Sequence, residues 1–465
     1  MDAEEVASNL GLNQWVCDGE GIGGLIKVRV EDFIVVEEGS IPALDPKGRF
    51  TVARITLNNW ETNRFTNRLA KELRISRKRI WFSGTKDKRA LTTQLFVIDS
   101  PTKKVSEVDI KDVDIEVLGR THQKLSMGSH SSNRFSITVR GCADKNGEPM
   151  DNETALKEVE KIHLALVSNL GDCKFPNWVG PQRFGSTRPV TPVVGRHVVN
   201  GEWELAVSEY LGMEGLNDAG DVAEFRSYWR ENKDVEGALE IIPKQLGYER
   251  DLLYALRKNP DDWVSAFKKL PNNLQLMTIH SLQSLTFNHI LGERIRCGMS
   301  ISNPIVGDVV GPIDNDGKID ASKLAIVQES TIKRINRNCT LGRLVVTGSL
   351  FGAESTNATG KIGEIEQNVL KKLELDSINW NIEEIPRLTT KGTKRPLTGS
   401  YSEFSFNSKS VLDVSDVSKK WKSGPNDGDQ WHPDGACINF KFNLPPGTYA
   451  TTLLREFTRA PLHQS

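Results

Sequence analysis

WFSGTKDKRALTTQ, running from Trp81 to Gln94, is the stretch from which the organisation of this chain can be worked out. Ile80, Trp81 and Phe82 predict a short buried strand on its left, and Leu95, Phe96, Val97 and Ile98 another on its right. Between them a single carboxylate, Asp87, stands between Lys86 and Lys88, with Arg89 beside them and Gly84 just ahead. A loop held by two strands can present such a group to a ligand from a rigid base. An isolated acid among cations suits a polyanionic ligand that needs a nucleophile or a base. The plainer alternative is a solvated turn whose Asp87 only pairs with neighbouring lysines.

Outward from this loop, residues 25–36 (LIKVRVEDFIVV) alternate and predict one strand, with Arg49 to Leu57 as its partner. Asn63 to Leu73 places Phe65, Leu69 and Leu73 at i, i+4 and i+8, a helix with an apolar stripe and a cationic face. Arg134 to Arg140 (RFSITVR) predicts a further strand. Leu156, Val159, Ile162 and Leu166 predict a helix over Asn152 to Asn169, with Gly171 just beyond its end. Strands mixed with single helices indicate an α+β domain rather than a repeated βαβ array. The Gly- and Pro-rich segment 172–200 changes character. Beyond it helical patterns cover Trp203 to Tyr210, Ala219 to Arg230, Val235 to Ile242, Arg250 to Lys258 and Leu274 to Cys297. Short strands follow from Ile301 to Leu350, then a helix over Lys361 to Leu373, and strands return after Pro386, among them Ala436 to Phe442. The simplest organisation is a core made of both ends of the chain with a middle domain inserted in it.

At 465 residues there is room for two or three domains, each with a real core. No apolar run approaches the roughly 18–20 residues needed to cross a membrane, and Met1 to Asn9 is acidic without the pattern of a secretory signal. The six cysteines are scattered with no CxxC pair, and the eight histidines show no HExxH. Reduced thiols, a cytoplasmic location and no metal or other cofactor are the expectations. The net charge of −1 hides an uneven distribution. From Arg64 to Arg89 there are ten basic residues against two acidic, and from Arg387 to Lys422 eight against three. Such concentrations can bind and steer phosphates, or can be solvated helix faces.

Three more segments carry candidate chemistry. Lys27 and Phe33 lie six apart in LIKVRVEDFIVVE, so in one strand they would face the same side. Asn133 and Phe135 in SHSSNRFSITVR share a face by the same argument. An amide beside an aromatic can bond one edge of a base and stack on its plane, which contributes roughly 1–3 kcal/mol per base. In FPNWVGPQRFG, Gly180 and Gly185 bracket Arg183, which either holds a phosphate or clamps a domain junction. Each has a bland counterpart: an edge strand with its Phe in the core, or a turn Asn.

Taken together these segments resemble the TruD family of pseudouridine synthases. The resemblance is carried by KVRVEDFIVVE (27–37), NRFTNRLAKEL (63–73), SGTKDKRALTTQ (83–94), SNRFSITVR (132–140), PNWVGPQRFG (176–185), LQSLTFNHILGERI (282–295), TGSLFG (347–352), KGTKRPL (391–397) and LPPGTYATTLLRE (444–456), in family order over nearly the whole chain. The length of the middle domain is similar to that of archaeal members. The resemblance implies an α+β pseudouridine synthase core, residues 1–171 and 387–465, with a mixed, largely antiparallel sheet flanked by helices. It also implies an inserted α+β TRUD domain over 172–386. Asp87 takes the place of the family's catalytic aspartate and Lys27 that of its active-site lysine. Phe33 matches the EDF motif, and Asn133 and Phe135 the N-x-F pair that holds the target base. Three departures stand out: Thr85 where bacterial members often have Gln, Arg134 between Asn and Phe, and NWVG where NYFG is usual.

Pseudouridylation breaks the N1–C1′ bond of a uridine, turns the uracil and rejoins it through C5. It needs one ionised carboxylate; a two-carboxylate glycosidase mechanism is disfavoured by the lone acid of this loop. A neighbouring cation favours the charged form of a covered Asp, and Lys27, with Lys86 and Lys88 as alternatives, is the candidate. The target must leave its stack, at a cost of a few kcal/mol. Arg64 and Arg68 on the predicted helix, with Lys86, Lys88, Arg89 and Arg183, are the expected phosphate contacts. The inserted domain is expected to close the other wall of a cleft. By resemblance the substrate is tRNA at uridine 13, with no membrane and no obligatory protein partner, a monomer being the default. Two other classes compete. One is a non-catalytic RNA-binding protein on the same scaffold. The other is a nucleotide-dependent enzyme, drawn from Gly19-Glu20-Gly21-Ile22-Gly23-Gly24, which lacks a P-loop Lys-Ser/Thr and is expected to be a flexible lead-in.

Overall fold

A computed structural model describes residues 3–185, 188–216, 218, 220–314, 319–378, 380–410 and 416–464. The chain divides into two compact units. One gathers Met1–Val16, Pro176–Asp314 and Lys318–Thr398; the other is built on Cys17–Phe175 and Gly399–Ser465.

The unit that carries Asp87 is organised by one sheet. Among the described residues its strands lie side by side in the order Ser402–Ser408, Ile438–Leu444, Ser132–Cys142, Phe33–Glu38, Leu91–Ile98, Phe50–Asn58 and Val113–Thr121. Gly23–Leu25 adds to Ser132–Cys142, and Ile80–Phe82 adds to Leu91–Ile98. Phe33–Glu38 and Leu91–Ile98 run parallel, while the pairings on either side of them are antiparallel. Period-two alternation puts Ala53, Ile55 and Leu57 of one strand, with Phe96 and Ile98 of its neighbour, under Phe65 and Leu69 of the Thr62–Glu72 helix. Burying each large apolar side chain contributes roughly 1.5–3 kcal/mol. The helix starts where it does because the Glu61 carboxylate accepts from Asn63 N–H and Arg64 N–H. The Asn152–Leu170 helix packs against the Ser402–Ser408 and Ile438–Leu444 strands and against the Ala450–Thr458 helix.

The other unit is mainly helical. Val194, Val198, Trp203, Phe225, Trp229, Leu253 and Phe267 form its core with the long Asn272–Arg296 helix. A small sheet joins Ala325–Ile326, Val309–Gly311, Val345–Leu350 and Thr393–Pro396. The first 16 residues, grouped with the outer segments in the sequence-based expectation, pack in this unit: Asn288 Nδ2 donates to the Leu10 carbonyl at 3.1 Å. Among the described residues no helix is long and apolar enough to cross a membrane.

Several sequence-based expectations change. The single strand over 25–36 is broken into Gly23–Leu25, a 3-10 turn at Val30–Asp32 and the Phe33–Glu38 strand. The Arg49–Leu57 strand does not pair with it, because Leu91–Ile98 lies between them. The glycine-rich 19–24 segment is not a flexible lead-in. Gly24 N–H donates to the Gln430 carbonyl at 2.7 Å, and Gly23 has φ +54. A Cβ at Gly23 would stand 2.1 Å from the Gln430 oxygen, so close backbone approach requires glycine there.

Candidate active site

The Asp87 loop is anchored at its base. Lys86 N–H donates to the hydroxyl of buried Thr62 at 2.9 Å, at the first turn of the Thr62–Glu72 helix. On the far side Ala90 N–H donates to the Lys88 carbonyl at 2.9 Å, and Asn59 N–H to the Ala90 carbonyl at 3.1 Å. Asp87 itself is left accessible, its side chain 46% exposed, and its Oδ2 accepts from Lys27 Nζ at 2.8 Å.

Lys27 reaches Asp87 from an unusual backbone, φ 57, in the left-handed region. That conformation costs an L-residue roughly 1–2 kcal/mol. Arg89 holds it in place: its Nε donates to the Lys27 carbonyl at 2.7 Å and its Nη2 to the Val28 carbonyl at 2.6 Å. The ammonium also lies 4.3 Å from the centre of the Phe33 ring, a cation–π contact. Lys27 and Phe33 therefore meet as expected, through a turn and not through strand periodicity.

The sheet register supplies the rest. Phe135 stands between Val35 and Phe442 on the flanking strands. It stacks on Phe442 at 5.4 Å between ring centres and meets Phe33 edge-on at 6.2 Å. Two residues earlier, Asn133 lies opposite Glu37. Glu37 accepts from Lys86 Nζ at 2.7 Å, with side chains only 2% and 7% exposed. His130 sits beside this pair. Burial, then the Lys86 cation, push its pKa below the usual imidazole value, with Glu37 opposing. His130 Nε2 lies 3.1 Å from Asn133 Nδ2. With the amide so oriented, Asn133 Nδ2 donates to His130 Nε2. Asn133 Oδ1 has no hydrogen-bond partner among the described residues.

A nearly complete family match accompanies this geometry: the model of tRNA pseudouridine synthase D (TruD) covers residues 9–457. The chain belongs to the TruD family. A "Probable tRNA pseudouridine synthase D" of Methanosarcina acetivorans is 35% identical over 472 residues, spanning 100% of this chain and 99% of the relative. Another from Thermococcus sibiricus is 32% identical, spanning 99% and 100%. A crystal structure of a TruD protein from Methanosarcina mazei superposes with a TM-score of 0.83 at 32% identity, covering both chains fully. The mixed sheet flanked by helices is thus the TruD fold.

Within that TruD fold, Asp87, Lys27, Phe33, Asn133 and Phe135 belong to one unit, with Lys27 and Phe33 in contact with Asp87 and Phe135 respectively. Four of the expected site residues have partners within the chain. Phe33 is 2% exposed, with Lys27 over its face and Phe135 at its edge, so it is a floor under the site and not a surface for a base. Lys86 is not a phosphate contact, because its ammonium is buried against Glu37. Arg89 spends its guanidinium on two backbone carbonyls. Arg68 pairs with Glu72 at i,i+4 while its side chain stays 54% exposed. Lys88 and Arg64 remain exposed, Arg64 with its guanidinium 5.9 Å from the Trp60 ring centre. Arg183 belongs to the other unit, where its charge acts on His280. The NWVG departure packs completely: Trp178 is fully buried, and the Asn288 amide bonds both the N–H and the C=O of Val179. Glu37, Thr62 and His130 were missed. Glu37 ends the quoted EDF-containing motif, and His130 precedes Asn133 by three, but only the register shows that they converge.

Proposed function

We propose that this chain converts a uridine of tRNA to pseudouridine, uridine 13 being the expected position, with Asp87 as its one reacting carboxylate. The observation that carries the proposal is the Asp87–Lys27 pair, set beside a half-buried Phe135 in a chain of the TruD family. The isomerisation breaks N1–C1′ and forms C5–C1′; the proton lost at C5 is balanced by the one gained at N1. Every heavy atom of the base stays with the nucleotide, so the protein has only to ionise, position and shield. Lys27 Nζ lies 2.8 Å from the Asp87 carboxylate and fixes its position. Phe135, backed by Phe442 and Phe33, offers a preformed ring on which an extruded uracil stacks. The unmet acceptor of Asn133 suits an N3–H on the base edge. Of the expected division, 1–171 with 387–465 against 172–386, the unit built on Cys17–Phe175 and Gly399–Ser465 is proposed as the catalytic portion and the other as the inserted TRUD domain, with the first 16 residues packing in the latter.

The test is incubation with unmodified tRNA transcripts followed by chemical mapping of pseudouridine. Wild type should yield a single modified site. Asp87→Asn should bind the same RNA and give no product, a loss of at least about a thousandfold in turnover if the carboxylate takes part covalently or as a base. Appreciable conversion by Asp87→Asn would remove that residue from the mechanism and favour a role in RNA binding alone.

A further inference from the structure

A second cationic surface lies in the mainly helical unit, on a segment outside both basic stretches counted from the sequence. Between Glu329 and Glu354 the chain carries Lys333, Arg334, Arg337 and Arg343 and no acidic residue. Lys333, Arg334 and Arg337 lie on the Ile332–Thr340 helix at i, i+1 and i+4, which spreads them over one face about 6 Å long. The opposite face is anchored by buried Ile335 and Cys339. All four cations are exposed, and among the described residues none of them makes an ion pair.

Five other cations of this unit are paired with acids, whereas the Ile332–Thr340 helix has no acid within its own length or in the loop that follows it. Arg196 pairs with Glu374, Arg230 with Glu214, Lys233 with Glu204, Arg257 with Glu236 and Arg296 with Glu293. A merely solvated face normally interleaves the two signs, and the neighbouring helices do so. We infer that the exposed face of the Ile332–Thr340 helix, continued by Arg343, docks an RNA sugar-phosphate backbone. The inference rests on the proposed action of the chain on RNA. RNA fits better than an acidic protein, because the three helix cations are interleaved with Asn336 and Thr340 and no aromatic residue, whereas protein interfaces centre on buried aromatic anchors. The surface would position substrate away from the reacting atoms: it should govern affinity and leave the chemical step alone.

The experiment compares the full chain with a triple variant, Lys333→Gln, Arg334→Gln and Arg337→Gln, and with a conservative partner, Arg334→Lys and Arg337→Lys. Dissociation constants for an unmodified tRNA transcript are measured across a salt series, and single-turnover conversion is followed at saturating RNA. The triple variant should bind roughly tenfold or more weakly at low salt, and its slope of log affinity against log salt should flatten by about two to three. Its saturated single-turnover rate should equal wild type, and the lysine variant should keep the slope. An unchanged constant and slope in the triple variant, while wild type converts uridine in the same assay, overturns the inference; retention of the face on an acidic polypeptide alone does the same. If wild type binds RNA through this slope but forms no pseudouridine, the docking surface stands and the catalytic proposal fails.

Discussion

Lys27 does two things that a substitution can pull apart. Its backbone is left-handed, a conformation that glycine adopts without cost, while its ammonium lies on Asp87 and over Phe33. Lys27→Gly should therefore leave the thermal midpoint unchanged or slightly raised, by up to about 1 kcal/mol of stability, yet lose turnover. If a fall in stability accompanies the lost activity, the lysine matters chiefly for packing. Lys86 should behave in the opposite way. Its charge is buried against Glu37, so Lys86→Met would leave an uncompensated carboxylate inside and destabilise by roughly 3–5 kcal/mol. A double variant, Lys86→Met with Glu37→Leu, should recover much of that loss, and neither should flatten the salt dependence of RNA binding. A flattened slope in Lys86→Met would restore it as a phosphate contact. Lys86 adjoins Asp87 in sequence and Lys27 lies 60 positions away, yet it is Lys27 that pairs with Asp87 while Lys86 is buried against Glu37.

At the scale of elements, the loop depends on the helix beneath it. Thr62→Val keeps the shape of that side chain but removes the acceptor for Lys86 N–H, stranding a donor at a cost of about 1–3 kcal/mol. Thr62→Val should lower both stability and turnover, whereas Thr62→Ser should restore turnover. Equal kinetics in Thr62→Val and wild type, measured at saturating RNA, would mean the loop is held by other bonds. How much of this was legible follows from the kind of pattern each element carries. The Thr62–Glu72 helix and the strands around Asp87 announce themselves through clean periodicity, because each buries one face. The 25–36 segment alternates equally well, yet the Asp32 carboxylate accepts from Arg29 N–H at 2.8 Å and from buried Arg140 at 2.7 Å. That side chain-to-backbone bond competes with the ladder and makes a turn. The Ala450–Thr458 helix is buried on every side, its Thr452, Arg455 and Glu456 included, so its polar side chains do not mark a solvent-facing surface. The Val190–Val199 helix hides behind Pro192, which the first turn tolerates. As for the site, residues within one motif were legible, while Glu37 and Thr62 enter through partners 49 and 24 positions away.

Across the whole molecule, the buried histidines set an acid limit on stability. Burial lowers the pKa of His163, and burial together with a nearby cation lowers those of His130 and His280, with Lys86 and Arg183 as the cations. Burial also lowers His289, against a bond to the Asn9 carbonyl. The unfolded chain takes up protons near pH 6.5 while these folded imidazoles do not, so proton uptake favours the unfolded state as pH drops from about 7 toward 5. Two of the four lie in each unit, so both should weaken together. On the alkaline side the slope reverses, for a different reason. Burial pushes the Cys17 thiol up to about 11 and the Tyr401 phenol up to about 12. The unfolded chain ionises these groups first, and stability should fall again above about pH 9. Carboxylates held low, such as Asp99 between Arg49 and Arg79, act only below about pH 4 and stay out of the histidine window. Thermal unfolding across this range should show a plateau near pH 7–9 with a decline on each side. His163 packs against Phe404 at 4.7 Å between ring centres, so His163→Phe should keep the packing and shrink the acid decline. A midpoint that rises between pH 7 and pH 5 would contradict the sign assigned to all four imidazoles. An unaltered decline in His163→Phe would instead shift the effect onto the other three.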